Sequence, residues 1–198
     1  MARPREFDAT TVLKAAMDCF WARGFEQTSV RDLAEQMGIT GASLYNAFGD
    51  KRSLYREAFA YYLAQTVRDR VARLEKLAPL AAIRAFFAEI VEHSVNDELR
   101  RGCMLVNAAL ELAPYDPEIR KAVVEEMDFI EGFFRRSIEA GQNDNSIADA
   151  RPAEELARLL LSVLLGIRVL ARTRPQREVL EGAANGALAL LGTAGEAF

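Results

Sequence analysis

A short segment after Gly38 carries the side chains best suited to contacting a nucleic acid. A helix that reads base edges enters the major groove, so its outer face needs small residues and hydrogen-bonding groups instead of bulky apolar ones. Residues 40–46 have that character. We expect the following residues to contact bases or the sugar-phosphate backbone: Thr40, Gly41, Ala42, Ser43, Tyr45 and Asn46.

Lys51 has a separate chemistry, because it stands at the predicted start of the next helix. The first amides of a helix are free to donate to an anion, and a lysine beside them adds its positive charge. We therefore expect Lys51 to clamp a phosphate. Tyr45 follows the apolar Leu44, which predicts that its ring points outward with the hydroxyl near the DNA backbone.

The elements that position these residues are predicted from caps and apolar periodicity. An apolar stripe from Leu13 to Trp21 indicates a first helix that ends at Gly24. Ser29 and Asp32 form a capping-box pattern for a second helix, and Thr40 caps a third. Residues 29–48 thus match a helix-turn-helix motif. Simple packing of two short helices fits the periodicity equally well.

The remainder of the chain is also predicted to be helical. A fourth helix runs from Lys51 to about Leu77, the pattern restarts at Pro79, and the clearest loop is 141–151. The expected fold is all-α with about nine helices. It consists of an N-terminal three-helix helix-turn-helix DNA-binding domain over residues 6–66 and a C-terminal helical ligand-binding and dimerisation bundle over residues 67–198.

The charge distribution permits nucleic-acid binding without demanding it. The net charge is −4, and residues 1–60 carry eight basic and eight acidic side chains, so this segment is neutral. Only a few cations on one face are needed for phosphate contacts. Arg3, Arg5, Lys51 and Arg52 could supply these contacts, but the expectation for both Arg52 and Arg56 is a solvated face.

The run TSVRDLAEQMGITGASLYNAFGDKRSLYREAF resembles the DNA-binding domain of TetR/AcrR-family transcriptional regulators. The resemblance rests on Gly38, the Leu44-Tyr45 pair, Phe48 and Lys51. It implies base contacts from residues 40–43, an additional base contact from Arg31, and phosphate contacts from Tyr45 and Lys51. Many members carry an aromatic residue and a histidine where this chain has Asn46 and Ala47, so Asn46 is the expected substitute for a histidine contact.

The resemblance also implies a homodimer, operator DNA as partner and a small-molecule effector. The last two predicted helices are rich in alanine and glycine, which favours a subunit interface, although internal core is the alternative. The implied effector pocket should be mostly apolar. Its candidates by composition are Phe86, Phe87, Met104, Met127, Phe133, Phe134 and Leu164. The same residues are typical of an ordinary core, and His93 is expected at the surface.

Cys103 is a candidate redox or electrophile sensor. It follows Arg100, Arg101 and Gly102 near a predicted helix start, and both cations and helix starts lower a thiol pKa. The segment 102–106 looks like part of family members that sense electrophiles or oxidants through cysteine. The alternative is a small buried side chain. Cys19 is expected to be core packing.

Other function classes lack support in the sequence. No Gly-rich phosphate loop, nucleophile elbow or His/Cys zinc pattern is present, so we expect neither an enzyme nor a metal or cofactor. The apolar run 156–171 is interrupted by Arg158 and Arg168 and is too short for a membrane span. A polar start and two cysteines predict a cytoplasmic protein without disulfides.

Three functions fit these observations. The first is a ligand- or redox-responsive homodimeric repressor that leaves a palindromic operator when an effector acts. The second is an activator, or a regulator without a small-molecule effector. The third is an all-α ligand-binding or interaction protein whose helix-turn-helix no longer reads DNA.

Overall fold

The computed structural model describes residues 9–192, and all regular elements in that range are helical. A π-helical turn, Ala64–Arg68, joins the α-helices Lys51–Leu63 and Asp69–Leu74 into one continuous rod. Counted with that rod as one helix, the described residues form the nine helices that the sequence predicted. The elements are α1 (Ala9–Arg23), α2 (Val30–Met37), α3 (Gly41–Phe48), α4 (Lys51–Leu63), α5 (Asp69–Leu74), α6 (Pro79–Val95), α7 (Met104–Glu111), α8 (Pro117–Asn143), α9 (Ala153–Thr173) and α10 (Arg177–Ala189).

The helices α1 to α4 form the N-terminal part of the chain, called the head below. Local capping sets the ends of its two short helices, α2 and α3. The Ser29 amide donates to the Asp32 carboxylate at 2.9 Å, and the Asp32 amide donates to the Ser29 hydroxyl oxygen at 3.1 Å. Gly38 ends α2 with a left-handed φ of 66°. The Thr40 hydroxyl then accepts the Ser43 amide and caps α3. These contacts confirm the predicted helix-turn-helix.

An aromatic cluster holds the head together beneath these helices. The rings of Phe20 and Tyr55 meet edge to face with centroids 5.0 Å apart, and Phe25 meets Tyr55 at 5.4 Å. Leu33 of α2 and Leu44 of α3 are fully buried against the same core. Because α3 buries only one face, its opposite face is left to solvent.

The rod that leaves the head differs from the sequence prediction. Instead of one regular helix to Leu77, the α-helical pattern is interrupted by the π turn and α5 ends at Leu74. A π turn takes in an extra residue, which a 3.6-residue pattern does not reveal. Leu63 before the turn, Val67 within it and Val71 after it are all buried.

The C-terminal helices pack around a cluster of phenylalanines. Phe86 and Phe87 of α6 meet Phe133 and Phe134 of α8 at centroid distances of 5.1 to 5.7 Å. The predicted loop from Gly141 starts later, after Asn143, and Ile147 packs closely over Gly141 in the space that a Cβ would occupy. α9 packs along α8 and α10. Within residues 9–192, no helix has the length and apolar character needed to cross a bilayer.

Candidate nucleic-acid interface

The outer face of α3 presents the small and polar residues that the sequence predicted. Thr40, Ala42, Tyr45 and Asn46 are exposed, whereas Leu44 is fully buried. Gly41 and Ser43, the other two expected contacts on this helix, are half-buried. The Tyr45 side chain is 51% exposed, so its ring points outward as expected from its place beside Leu44. This face can approach a groove without a bulky apolar obstruction.

The two hydroxyl groups on this face are bonded to each other as well as to the helix. The Thr40 hydroxyl oxygen accepts the Ser43 amide at 3.1 Å and lies 2.9 Å from the Ser43 hydroxyl oxygen. Thr40 therefore also holds the start of α3, a second role for a predicted contact residue. Each of the two hydroxyl groups retains capacity for at least one more hydrogen bond.

Lys51 occupies the first position of α4, where the sequence placed it, and packs on the head. Its Nζ lies 4.2 Å from the centroid of the Phe25 ring. The Asp50 carboxylate accepts the Ser53 amide at 2.7 Å, and this bond lowers the pKa of Asp50. One amide expected to be free for a phosphate is therefore occupied. Arg31, the remaining predicted contact, is exposed in the first turn of α2.

Glu111, the last residue of α7, holds the connection between α1 and α2. Its carboxylate accepts the backbone amide of Phe25 at 3.0 Å and that of Glu26 at 2.8 Å. A carboxylate bonded to two amides is a strong, charge-assisted contact. The loop that precedes the helix-turn-helix is thus attached directly to the C-terminal part of the chain.

Arg101 makes a second attachment to the head, on α1. Its guanidinium bonds Asp18 at 3.2 Å and Asp97 at 3.0 Å, and its central carbon lies 4.1 Å from the Trp21 ring centroid. Arg101 precedes Cys103 by two residues, and Glu111 ends the helix that Cys103 begins. The segment 101–111 therefore contacts both the middle and the end of α1.

Asp116 forms the third attachment and corrects one expectation. Arg52 and Arg56, expected on a solvated face, bond the buried Asp116 carboxylate at 2.9 and 3.1 Å. Asp116 also caps α8 by accepting the amides of Glu118 and Ile119. Burial by itself raises the pKa of Asp116, but these hydrogen bonds outweigh it and lower the pKa to about 2.

A cavity of about 160 Å³ lies between the head and the C-terminal helices. Of the seven predicted pocket residues, Phe86 and Leu164 line it. The others lie elsewhere: Phe87 borders a surface groove between α6 and α10, Met104, Phe133 and Phe134 are fully buried in the core, and Met127 is half-buried on α8. Composition identifies apolar residues, but it does not show which of them border a cavity and which pack against one another.

The cavity-lining residues that composition did not identify come from both the head and the C-terminal helices. Trp21 of α1 forms one wall, and the rod, α6, α7, α8 and α9 supply the rest. The exposed His93 borders the cavity and stacks on Trp21 with ring centroids 5.9 Å apart. The principal polar or aromatic lining residues absent from the prediction are Trp21, Tyr62, Thr66, His93 and Arg168.

Cys103 lines this cavity. It is the residue immediately before α7, and its side chain makes no capping hydrogen bond to that helix. The Tyr62 hydroxyl donates to its Sγ at 3.5 Å, and burial raises the pKa of Tyr62. Cys103 is half-buried, whereas Cys19 is buried in α1 and burial raises the pKa of its thiol. The two thiols thus lie in different surroundings, and Cys19 packs in the core as predicted.

Two family models match the chain. The model described as "Bacterial regulatory proteins, tetR family" matches residues 12–58, which include the capped helix-turn-helix, and "Tetracyclin repressor-like, C-terminal domain" matches residues 79–187. The chain belongs to the TetR family of transcriptional regulators. Proteins of this family are DNA-binding regulators and are generally not enzymes.

Individual relatives agree with this assignment over nearly the whole chain. A structure of the TetR-family regulator CifR, a cysteine mutant bound to 26-base-pair operator DNA, is 38% identical with a TM-score of 0.85, covering 96% of this chain and all of CifR. The uncharacterized regulator YezE of Bacillus subtilis is 29% identical over 96% of this chain and all of its own. The repressor ComR of Escherichia coli is 27% identical, over 90% of this chain and 86% of ComR.

Asp116→Asn tests the attachment between the head and α8. The folded-state pKa of Asp116 is depressed from 3.8 to about 2, so its stabilisation is present above about pH 4 and is lost as the pH falls toward 2. Since both arginines are partly exposed, we expect the variant to lose about 1 to 2 kcal/mol at pH 7. The difference from wild type should shrink as denaturant melts are repeated at lower pH.

Glu118→Gln is the matched control, because Glu118 also pairs with Arg56 but is exposed. It should lose less than about 1 kcal/mol at pH 7. Equal losses for the two variants, or a loss for Asp116→Asn that does not depend on pH, would contradict the assigned role of the buried carboxylate.

Proposed function

We propose that this TetR-family regulator is a homodimeric repressor that binds a palindromic operator and releases it when an effector acts on the C-terminal domain. The main support for DNA binding is helix α3, whose outer face is polar and exposed and whose inner face is anchored by the buried Leu44. ComR is named a repressor, and CifR was solved on operator DNA. The proposed contacts are Arg31, Thr40, Gly41, Ala42, Ser43, Tyr45, Asn46 and Lys51.

The proposed boundary between the two domains is residue 66, which falls within the π turn. The head then consists of residues 6–66, of which residues 6–8 lie outside the described range, as do the candidate arm residues Arg3 and Arg5. The proposed place of action of the protein is the cytoplasm, where bacterial operator DNA lies.

Operator selection tests the DNA-binding proposal. Duplexes selected from a random library should yield a palindrome, and log K should fall linearly with log salt concentration. Lys51→Gln removes one phosphate contact, so the magnitude of that slope should decrease by about 1. Tyr45→Phe removes one hydroxyl bond and should cost about 1 kcal/mol of binding.

Lys121→Gln serves as the control, because Lys121 is an exposed lysine on α8 whose ion pair with Glu125 is also at the surface. Its slope should equal that of the wild type. A slope for Lys51→Gln that also equals the wild type would contradict a phosphate contact at Lys51, and no enriched site would contradict operator binding.

The proposed dimer interface is formed by α9 and α10. Four residues at helical spacing form one exposed, weakly polar stripe on α9: Leu159, Ser162, Gly166 and Val169. On α10, Gly182 and Gly186 have open space where a Cβ would stand. Small residues let a second helix approach closely, and an apolar face of this kind suits a second copy of the chain.

Val169→Glu tests this interface. Val169 is 47% exposed in the single chain, and a charge there would be buried in the dimer at a cost of about 3 kcal/mol or more. Sedimentation velocity should show a monomer where the wild type is a dimer. Val124→Glu, at a 50% exposed valine on α8, should remain dimeric. A dimeric Val169→Glu protein would contradict the interface.

The effector's proposed site of action is the cavity beside Cys103, and Cys103 is the proposed sensor of electrophiles or oxidants. The solved complex of the relative CifR with operator DNA is that of a mutant with three substituted cysteines. In this chain Cys103 begins the helix whose other end holds the head through Glu111. A group added to its sulfur would occupy the cavity and displace its neighbours.

Thiol labelling separates the two cysteines. N-ethylmaleimide accepts the thiolate sulfur at its double bond, forming a carbon–sulfur bond while the neighbouring carbon takes up a proton. Because Cys19 is buried with a raised pKa, Cys103 should react at least about tenfold faster. Labelled wild type should lose operator affinity, whereas Cys103→Ser should retain it under the same treatment. Equal rates for Cys103 and Cys19 would contradict the sensor.

A further inference from the structure

Arg168 is a buried cation without a carboxylate beside it. Its side chain is 4% exposed, and it donates to the Ser94 hydroxyl at 2.6 Å and to the Gly102 carbonyl. Among residues 9–192, no carboxylate oxygen lies within 4 Å of its guanidinium. Two neutral acceptors satisfy some of its N–H groups but do not cancel the charge, and an uncompensated buried charge is costly.

The other two arginines that line the cavity have carboxylate partners. Arg70 and Arg73 both bond Glu89, which lies outside the lining, at 3.0 Å, and Arg73 also pairs with Asp69. Among the described lining residues, Arg168 is therefore the arginine that has no carboxylate partner.

Trp21 of the cavity wall also carries an unused hydrogen-bond donor. Its Nε1–H is buried and has no partner among residues 9–192, whereas the one proton of the Tyr62 hydroxyl is donated to Cys103. The rest of the wall is largely apolar, with Phe86, Ile90 and Leu164 contributing to it. Such a lining complements a molecule with an anionic, acceptor-only group and an apolar body.

We propose that this cavity binds a small carboxylate, with Arg168 as its counter-ion. The apolar body would lie against Trp21, Phe86 and Leu164. A guanidinium suits this role because it remains charged when buried and matches the carboxylate geometry. The volume of about 160 Å³ is close to that of an engineered cavity, about 150 Å³, that holds benzene. The proposal deepens the proposed function by naming the chemical class of effector.

The fluorescence of Trp21 reports binding directly, because it is the only tryptophan in the chain and forms part of the cavity wall. The probes are benzoate, butyrate and hexanoate, each compared with its neutral amide. At least one carboxylate should change the fluorescence saturably and bind about tenfold or more tightly than its amide. Because the shape is shared, the difference isolates the charge.

Variants assign that charge preference to Arg168. Arg168→Gln should abolish the preference for the carboxylate, and Arg168→Lys, which keeps the charge and guards against a folding failure, should retain part of it. Arg136→Gln is the control, because Arg136 is a half-exposed arginine paired with Glu75 outside the cavity.

Several outcomes would overturn the proposal. They are the absence of a saturable change with all three carboxylates, equal affinities for carboxylate and amide, or an undiminished preference in folded Arg168→Gln. Saturable binding that leaves operator affinity unchanged would support the site and contradict the effector role in the proposed function.

Discussion

The carboxylate of Glu111 accepts two backbone amides of the head, those of Phe25 and Glu26, and the position of the helix-turn-helix depends on that contact. These amides belong to the short connection between α1 and α2. Any displacement of α7 therefore acts on the backbone that leads into the DNA-binding surface. A contact through backbone amides transmits movement more directly than one between long side chains, because it has fewer rotatable bonds.

The same helix begins beside the cavity. Cys103 and the preceding Arg101 lie at the start of α7, and Arg101 bonds Asp18 and stacks on Trp21 of α1. Trp21 is thus both a wall of the cavity and part of the head. A molecule in the cavity, or a group added to Cys103, would contact the head itself as well as α7. Allosteric control requires two arrangements whose balance the ligand changes, and α1 and α7 are the elements that the ligand would bias.

The sequence predicted best what neighbouring residues determine. The caps at Ser29 and Thr40 depend on a partner three residues away, and both formed as expected. Interactions over long separations were missed for the opposite reason. Asp116 meets Arg52 and Arg56 across about sixty residues, and no local pattern indicates that meeting. The π turn was missed because the buried positions on both sides of it still follow an apolar pattern.

The residues that line the cavity were predicted only in part. Apolar composition identified Phe86 and Leu164, but several other candidates fill the core completely, because side chains of the same type serve both purposes. The more useful signal was a charge in an apolar helix. Arg168 interrupts the run 156–171, and a buried cation there requires partners that its own helix does not supply.

The most direct measurement of coupling between the head and the cavity is the rate at which Cys103 reacts with a thiol reagent, with and without saturating operator DNA. None of the proposed DNA contacts on α3 lines the cavity, so we expect any change in the rate to pass through the protein. If the head and the segment 101–111 move together, operator binding should change the rate by about fivefold or more, and Glu111→Ala should remove most of that change. Equal rates with and without operator in the wild type would contradict the coupling.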